Sequence, residues 1–227
     1  MPTIKCTNNN NKRTVSYSAS RLFFFQAERK WLWAFPQIEG VPPAPRGGHS
    51  ATLTGASLVI FGGHFYEGQE SGFTYLNDTH VLDVNSSRWI KPKISGTPPP
   101  ARYGHSSVLA GARIIIFGGK GAKGVFRDLH ALDPLTMTWY QGPEGGGAPA
   151  ARFDHSANLV GGTKMVVFGG WNGSEFYNDV FVLDLQIMAW SKPEASGKIY
   201  SFINAFLCFC RTCTFPTQGP LRYSYRQ

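Results

Sequence analysis

The chain has 227 residues, with 22 lysines and arginines against 14 acids, 42% hydrophobic residues and four cysteines. That apolar fraction excludes a disordered polymer, and so few cysteines in this length exclude a disulfide-held miniature. The formal charge of +8 sits at the ends: residues 1–30 carry +5 and residues 198–227 carry +4, which leaves −1 for residues 31–197. The central part therefore has no basic excess with which to hold nucleic acid.

In chain order, the N-terminal stretch comes first. Its apolar run, Leu22-Phe23-Phe24-Phe25, is shorter than a secretory signal requires. Phe23-Phe24-Phe25-Gln26 is what a pyrimidine tract ending in CAG encodes in one frame, and Gly197-Lys198 is what GGTAAG encodes. Residues 1–26 and 198–227 are accordingly expected to be an unstructured or non-native leader and tail, translated from intron. Amplifying the transcript across both junctions checks this, and a mature message that keeps both flanks refutes it.

A threefold pattern occupies the middle. It runs Arg46, His49, Ser50, Phe61, Gly62, Gly63, Asp78, Asp83, Trp89; then Arg102, His105, Ser106, Phe117, Gly118, Gly119, Asp128, Asp133, Trp139; then Arg152, His155, Ser156, Phe168, Gly169, Gly170, Asp179, Asp184, Trp190. Each unit reads as four short strands. The first runs from the Arg (Arg46 to Leu53), and the second is a β-branched run ending in Phe, such as Ile114-Ile115-Ile116-Phe117. The third is Thr79 to Leu82 and its counterparts, and the fourth begins at the Trp. No segment shows sustained helical periodicity.

Four-stranded units of this length imply radially packed blades, because one blade cannot bury both of its faces alone. The double Gly after an apolar strand, the downstream aromatic and the Trp resemble the Kelch-repeat family, within the galactose-oxidase-like propeller superfamily, over residues 31–197. The resemblance implies an all-β partial Kelch β-propeller. Three four-stranded antiparallel blades are expected at about 46–93, 102–143 and 152–193, within a Kelch region at 27–197. Each Trp precedes the next Arg by thirteen residues, and counting back from Arg46 gives Trp33, so residues 31–36 are expected to form one strand of a preceding blade. Counting forward from Trp190 gives Ile203, not Arg.

The repeated polar residues read as scaffold. Arg46, Arg102 and Arg152 suit pairing with a carboxylate. The aspartates, Asp78 with Asp83 and their counterparts, sit at strand ends where Asp bonds turn amides. His49, His105 and His155 recur as packing residues. Cys6, Cys208, Cys210 and Cys213 all lie outside 31–197, and the C-terminal cluster Cys208, Cys210 and Cys213 has three thiols and no His in the tail as a fourth zinc ligand, so no metal and no other cofactor is expected. A reducing compartment follows, cytoplasmic or nuclear, and not secretion. The apolar stretch Ile199 to Cys210 is too short to span a bilayer, so no membrane contact is expected.

Function should lie where the units differ, in loops on a repeated scaffold. From the second Gly to the first Asp the first unit has fifteen residues and the others nine, a six-residue insertion. The candidate protein-binding residues in the loops between second and third strands are His64, Phe65, Tyr66, Glu67, Glu70 and Phe73; Lys120, Lys123 and Arg127; and Trp171, Asn172 and Glu175. Asp154 joins them, standing where the other units have Gly48 and Gly104. In the family, loops on this face of the disk commonly bind partner peptides, so the expected function is a non-catalytic protein-interaction scaffold, part of a larger propeller. The alternatives are a Kelch-type enzyme whose site lies in missing blades, and an inert truncated product. Copper oxidases that resemble Kelch propellers need a Tyr, a Cys and His ligands in the site, and residues 31–197 hold no Cys. Self-association through open blade edges is also expected, since unclosed blades leave sheet faces exposed.

Overall fold

The computed structural model describes residues 36–68, 72–143 and 146–194. The strand expected over 31–36 lies outside them except for Pro36, as do Glu70 and the segments 1–26 and 198–227. The first unit supplies β1 (Ser50–Thr54), β2 (Ser57–Phe61), β3 (His64–Tyr66), β4 (Phe73–Tyr75), β5 (Thr79–Asp83) and β6 (Arg88–Ile90). The second begins with β7 (Ser95–Gly96) and continues with β8 (Ser106–Ala110), β9 (Arg113–Phe117), β10 (Lys120–Gly121), β11 (Gly124–Val125), β12 (Leu129–Asp133) and β13 (Thr138–Gln141). The third supplies β14 (Ser156–Val160), β15 (Lys164–Phe168), β16 (Val180–Asp184) and β17 (Ala189–Ser191).

These strands form three antiparallel four-stranded sheets, β1-β2-β5-β6, β8-β9-β12-β13 and β14-β15-β16-β17. The fold is all-β, as the sequence implies. β8 touches both β1 and β14, so the first strand of each sheet is innermost. The first strands start at Ser50, Ser106 and Ser156 rather than at the Arg. Gly48, Gly104 and Asp154 hold φ of 62°, 64° and 55°, left-handed values that break an extended chain just before each His.

Two apolar layers join the sheets. Val59, Phe61 and Val81 meet Ile114, Ile116, Leu132 and Trp139; Val108, Ile115, Phe117 and Leu129 meet Met165, Val167 and Leu183. The Trp of one unit fills the wedge against the Phe of the unit before, with ring centroids 4.8 Å apart for Phe61 and Trp139 and 5.0 Å for Phe117 and Trp190. Burying such a side chain contributes about 2–3 kcal/mol. The His-Ser pair completes the junction. His105 Nε2 lies 2.9 Å from Ser50 Oγ, and His155 Nε2 lies 2.8 Å from Ser106 Oγ, so each His reaches into the preceding unit.

The linkers ahead of the first and second units each lie along the outside of the unit they introduce. β7 pairs in parallel with β13, and Glu39 makes the same kind of bridge to Arg88 on β6. This covers part of the outer edge of the first two sheets, where unpaired amides would otherwise invite another strand. The sequence pattern did not anticipate this fifth strand.

Candidate functional site

Under the sites of variation lies a repeated polar lock. The Arg102 side chain, fully buried, donates from Nη1 to Gly118 O at 2.8 Å and to Asp128 Oδ1 at 2.6 Å, and from Nη2 to Asp128 Oδ2 at 2.8 Å. Arg152 repeats this with Gly169 O and Asp179, and Arg46 with Gly62 O and Asp78. A bidentate guanidinium–carboxylate pair fixes geometry as well as charge. His130 Nε2 donates to Asp128 Oδ2 at 2.9 Å, as His80 does to Asp78, and the third sheet has Phe181 at this place.

The aspartates therefore divide their work. The first of each pair binds the Arg, and only the second caps turn amides: Asp83 accepts from Asn85 and Ser86, Asp133 from Leu135 and Thr136, and Asp184 from Gln186 and Ile187. Burial raises the Asp128 carboxyl, but the hydrogen bonds and charges of Arg102 and His130 outweigh it and hold the group well below its usual range. His105 and His155 are neutral. Burial, reinforced by Arg102 and Arg152 respectively, pushes each down to about 3.

Above the lock, the loops between second and third strands share one face with the residues that precede each first strand. Three bridges set this: Gly47 with His64, Tyr103 with Lys120, and Phe153 with Trp171. The six-residue insertion of the first unit becomes the β3-β4 hairpin, in which His64 pairs with Tyr75 and Tyr66 with Phe73. Side chains alternate along a strand, so Phe65 faces opposite to His64 and Tyr66.

The bridges bring rings from all three units into one row. Centroid distances run Tyr66–Phe73 5.2 Å, Phe73–His64 5.1 Å, His64–Tyr103 4.5 Å, Tyr103–Phe153 5.6 Å, Phe153–Trp171 5.2 Å and Trp171–Phe176 5.5 Å. Tyr75 stacks on Tyr103 at 5.7 Å. All lie in the range where aromatic pairs attract. The row is buried at Phe153 and exposed at its ends, with Tyr66 and Phe73 56% exposed and Phe176 63%.

Charged groups flank the row. Lys120 Nζ lies 5.2 Å from the Phe153 ring centroid. Asp154 is half-buried, and burial raises its carboxyl against the opposing pull of His64 and Lys120. Glu67 and Lys123 are exposed. Arg127 stands apart from Lys120: its Nη2 donates to Ala148 O at 3.5 Å, and it lines a groove of about 500 Å³ with Phe126, Gln141 and Trp190 at the outer strands. Asn172 is occupied by its own turn, its Oδ1 accepting from the Ser174 and Glu175 amides and its Nδ2 donating to Tyr177 Oη and to the exposed Glu175. Among the described residues, no group of three or more His, Cys, Asp or Glu is disposed to hold a metal ion.

Sequence reasoning missed Tyr75, Tyr103, Phe153 and Phe176. A signal existed for two of them: the residue after the repeated Arg is Gly47, Tyr103 or Phe153, a departure one position before Asp154.

Radial four-stranded sheets joined by Phe–Trp and Ser–His contacts define a β-propeller built of repeats. The chain belongs to the Kelch-repeat family, matching the KLHDC2/KLHL20/DRC7 Kelch-repeats domain over residues 8–210. It is 39% identical over 165 residues to acyl-CoA-binding domain-containing protein 5 of Arabidopsis thaliana, covering 73% of this chain and 17% of that protein. It is 39% identical over 90 residues to the rat (Rattus norvegicus) Rab9 effector protein with kelch motifs, 38% of this chain and 23% of the relative. To human (Homo sapiens) host cell factor 2 it is 34% identical over 192 residues, 80% and 18%. The chain thus spans under a quarter of the length of each of these relatives.

Proposed function

We propose that the chain is a non-catalytic protein-interaction scaffold, one part of a larger propeller, working in the cytoplasm or nucleus. The observation that carries this is the aromatic row, which runs unbroken across three repeats at positions where the repeats themselves differ. A structural role asks only for the buried members. Tyr66, Phe73 and Phe176 are large apolar rings left in water, on a face that also carries Lys120 and Asp154 and whose loops hold the exposed Glu67, Lys123 and Glu175. Aromatics among charges dominate interface energetics, so the fitting partner is a protein segment of mixed charge with apolar side chains to lay along the row. The name of the Rab9 effector relative supports an interaction role.

The test compares opposite faces. A partner captured by the propeller is titrated against Tyr66→Ala, Trp171→Ala and Phe176→Ala, and against Leu135→Ala in the far-face turn, where Leu135 is 88% exposed. Loss of about 1–3 kcal/mol of affinity is expected for at least one row residue and little for Leu135. Equal losses on both faces, or none, overturn the assignment.

A further inference from the structure

We infer that Asp154 is the charge-selective anchor of the aromatic face, taking the guanidinium of an arginine in the partner segment. This rests on the interaction role proposed above and names the chemistry of that partner. The first observation is what Asp154 replaces. Gly48 and Gly104 hold the same place in the other units, and all three positions have left-handed φ, a conformation that favours glycine. Aspartate tolerates it better than most residues because its short side chain can bond locally. Here it does something else. The Asp154 amide donates to Gly104 O at 2.7 Å, and Oδ1 lies over the second unit, 2.5 Å from where a Cβ on Gly104 would stand. The carboxylate therefore leans into the middle of the described face, over room that the glycine of the second unit leaves open.

The second observation is its lack of compensation. Asp78, Asp128 and Asp179 are also half-buried, and each meets a bidentate arginine. Among the described residues nothing donates a hydrogen bond to the Asp154 carboxylate and no cation pairs with it. His64 and Lys120 act on it from a distance: burial, the larger effect, raises its carboxyl, and those two groups pull against it. The neighbours then select among cations. Tyr103 lies close enough that the Asp154 charge adds to burial in raising its hydroxyl, and Phe153, the residue before Asp154, packs on Trp171 at 5.2 Å. A guanidinium is planar, forks onto both oxygens of a carboxylate and stacks on aromatic faces, whereas an ammonium is a compact, strongly hydrated charge. A carboxylate set between rings therefore fits arginine better than lysine.

The test selects a displayed library of random linear peptides on the full chain. Enriched peptides should carry an arginine flanked by apolar residues and should lose affinity for the Tyr66→Ala, Trp171→Ala or Phe176→Ala chain. Asp154→Gly restores the residue of the other two units and Asp154→Asn keeps the size, so both should retain the far-UV circular dichroism of the unchanged chain. Each should weaken the best peptide by at least about tenfold. Replacing the arginine of the peptide by alanine should weaken it as much, and the two changes together should cost no more than either alone. A merely structural role for Asp154 does not produce that coupling. No enriched peptide, or peptides indifferent to every row variant, overturns the interaction role and this inference together. Peptides that need the row yet carry no arginine, that bind both Asp154 variants as tightly as the unchanged chain, or whose two losses simply add overturn the arginine assignment alone.

Discussion

Arg102 illustrates how a surface-loving residue becomes interior structure. Its charge is fully buried, yet each of its three nitrogens donates to an oxygen: Nη1 and Nη2 to Asp128, Nη1 also to Gly118 O, and Nε to Pro100 O. Breaking such a pair leaves an uncompensated charge, so Asp128→Asn should cost about 3–5 kcal/mol in urea unfolding. Arg102→Lys should also destabilise, because a lysine has no planar fork to span both carboxylate oxygens. The histidines set a pH dependence. His105 and His155 have folded values of about 3, below the ordinary 6.5, so the unfolded chain takes protons that the folded chain refuses. Stability should hold above about pH 6.5 and fall below it by up to about 1.4 kcal/mol per pH unit for each histidine. Asp128, held low, adds a loss only below about pH 4. Urea midpoints at pH 7.5, 6 and 5 check this, and a flat series contradicts it. The repeated Arg was legible in the sequence as a carboxylate partner, but which carboxylate was not. Asp78 lies 32 residues from Arg46, while its neighbour Asp83 has turn amides within reach, and local spacing favours only the nearer bonds.

Strands and linkers show where glycine matters. Gly96, at φ 74°, lies against the backbone of the Trp that β7 crosses, and a Cβ there would stand 2.1 Å from Trp139 O. Gly96→Ala should therefore push β7 off β13 and cost clearly more than the roughly 1 kcal/mol of backbone strain expected for Gly111→Ala, where nothing lies within 4 Å. Thermal unfolding of the two variants side by side decides it. Trp139→Ala should cost about 3–5 kcal/mol, since the ring fills the wedge between two sheets and leaves a cavity no neighbour can close. The four strands of each unit could be read from β-branched runs and glycine punctuation. β7 could not, because two residues carry no period, and the parallel pairing that makes them a strand depends on a neighbour more than forty residues away.

Across the whole molecule, the face that carries the aromatic row was partly legible. The insertion in the first unit pointed to His64, Tyr66 and Phe73, and the non-repeating loop of the third to Trp171. Tyr103 and Phe153 escaped because they sit among the repeated scaffold residues just ahead of the first strand, and only the bridges to Lys120 and Trp171 reveal that these positions face the loops. Arg127 shows the converse: nearness in sequence to Lys120 did not keep it on that face, since β10 and β11 turn the chain outward between them. The placement of the linkers has a further consequence, for how such chains are cut and recombined. Because Glu39 and Ser95 each lie on the outer strand of the unit that follows, a cassette that begins at Arg102 leaves behind the segment that covers β13, whereas one that begins near Ile94 carries its own cover. Swapped or transplanted repeats should therefore stay soluble when the joint lies ahead of the linker glycine, and expose a bare edge when it lies at the arginine.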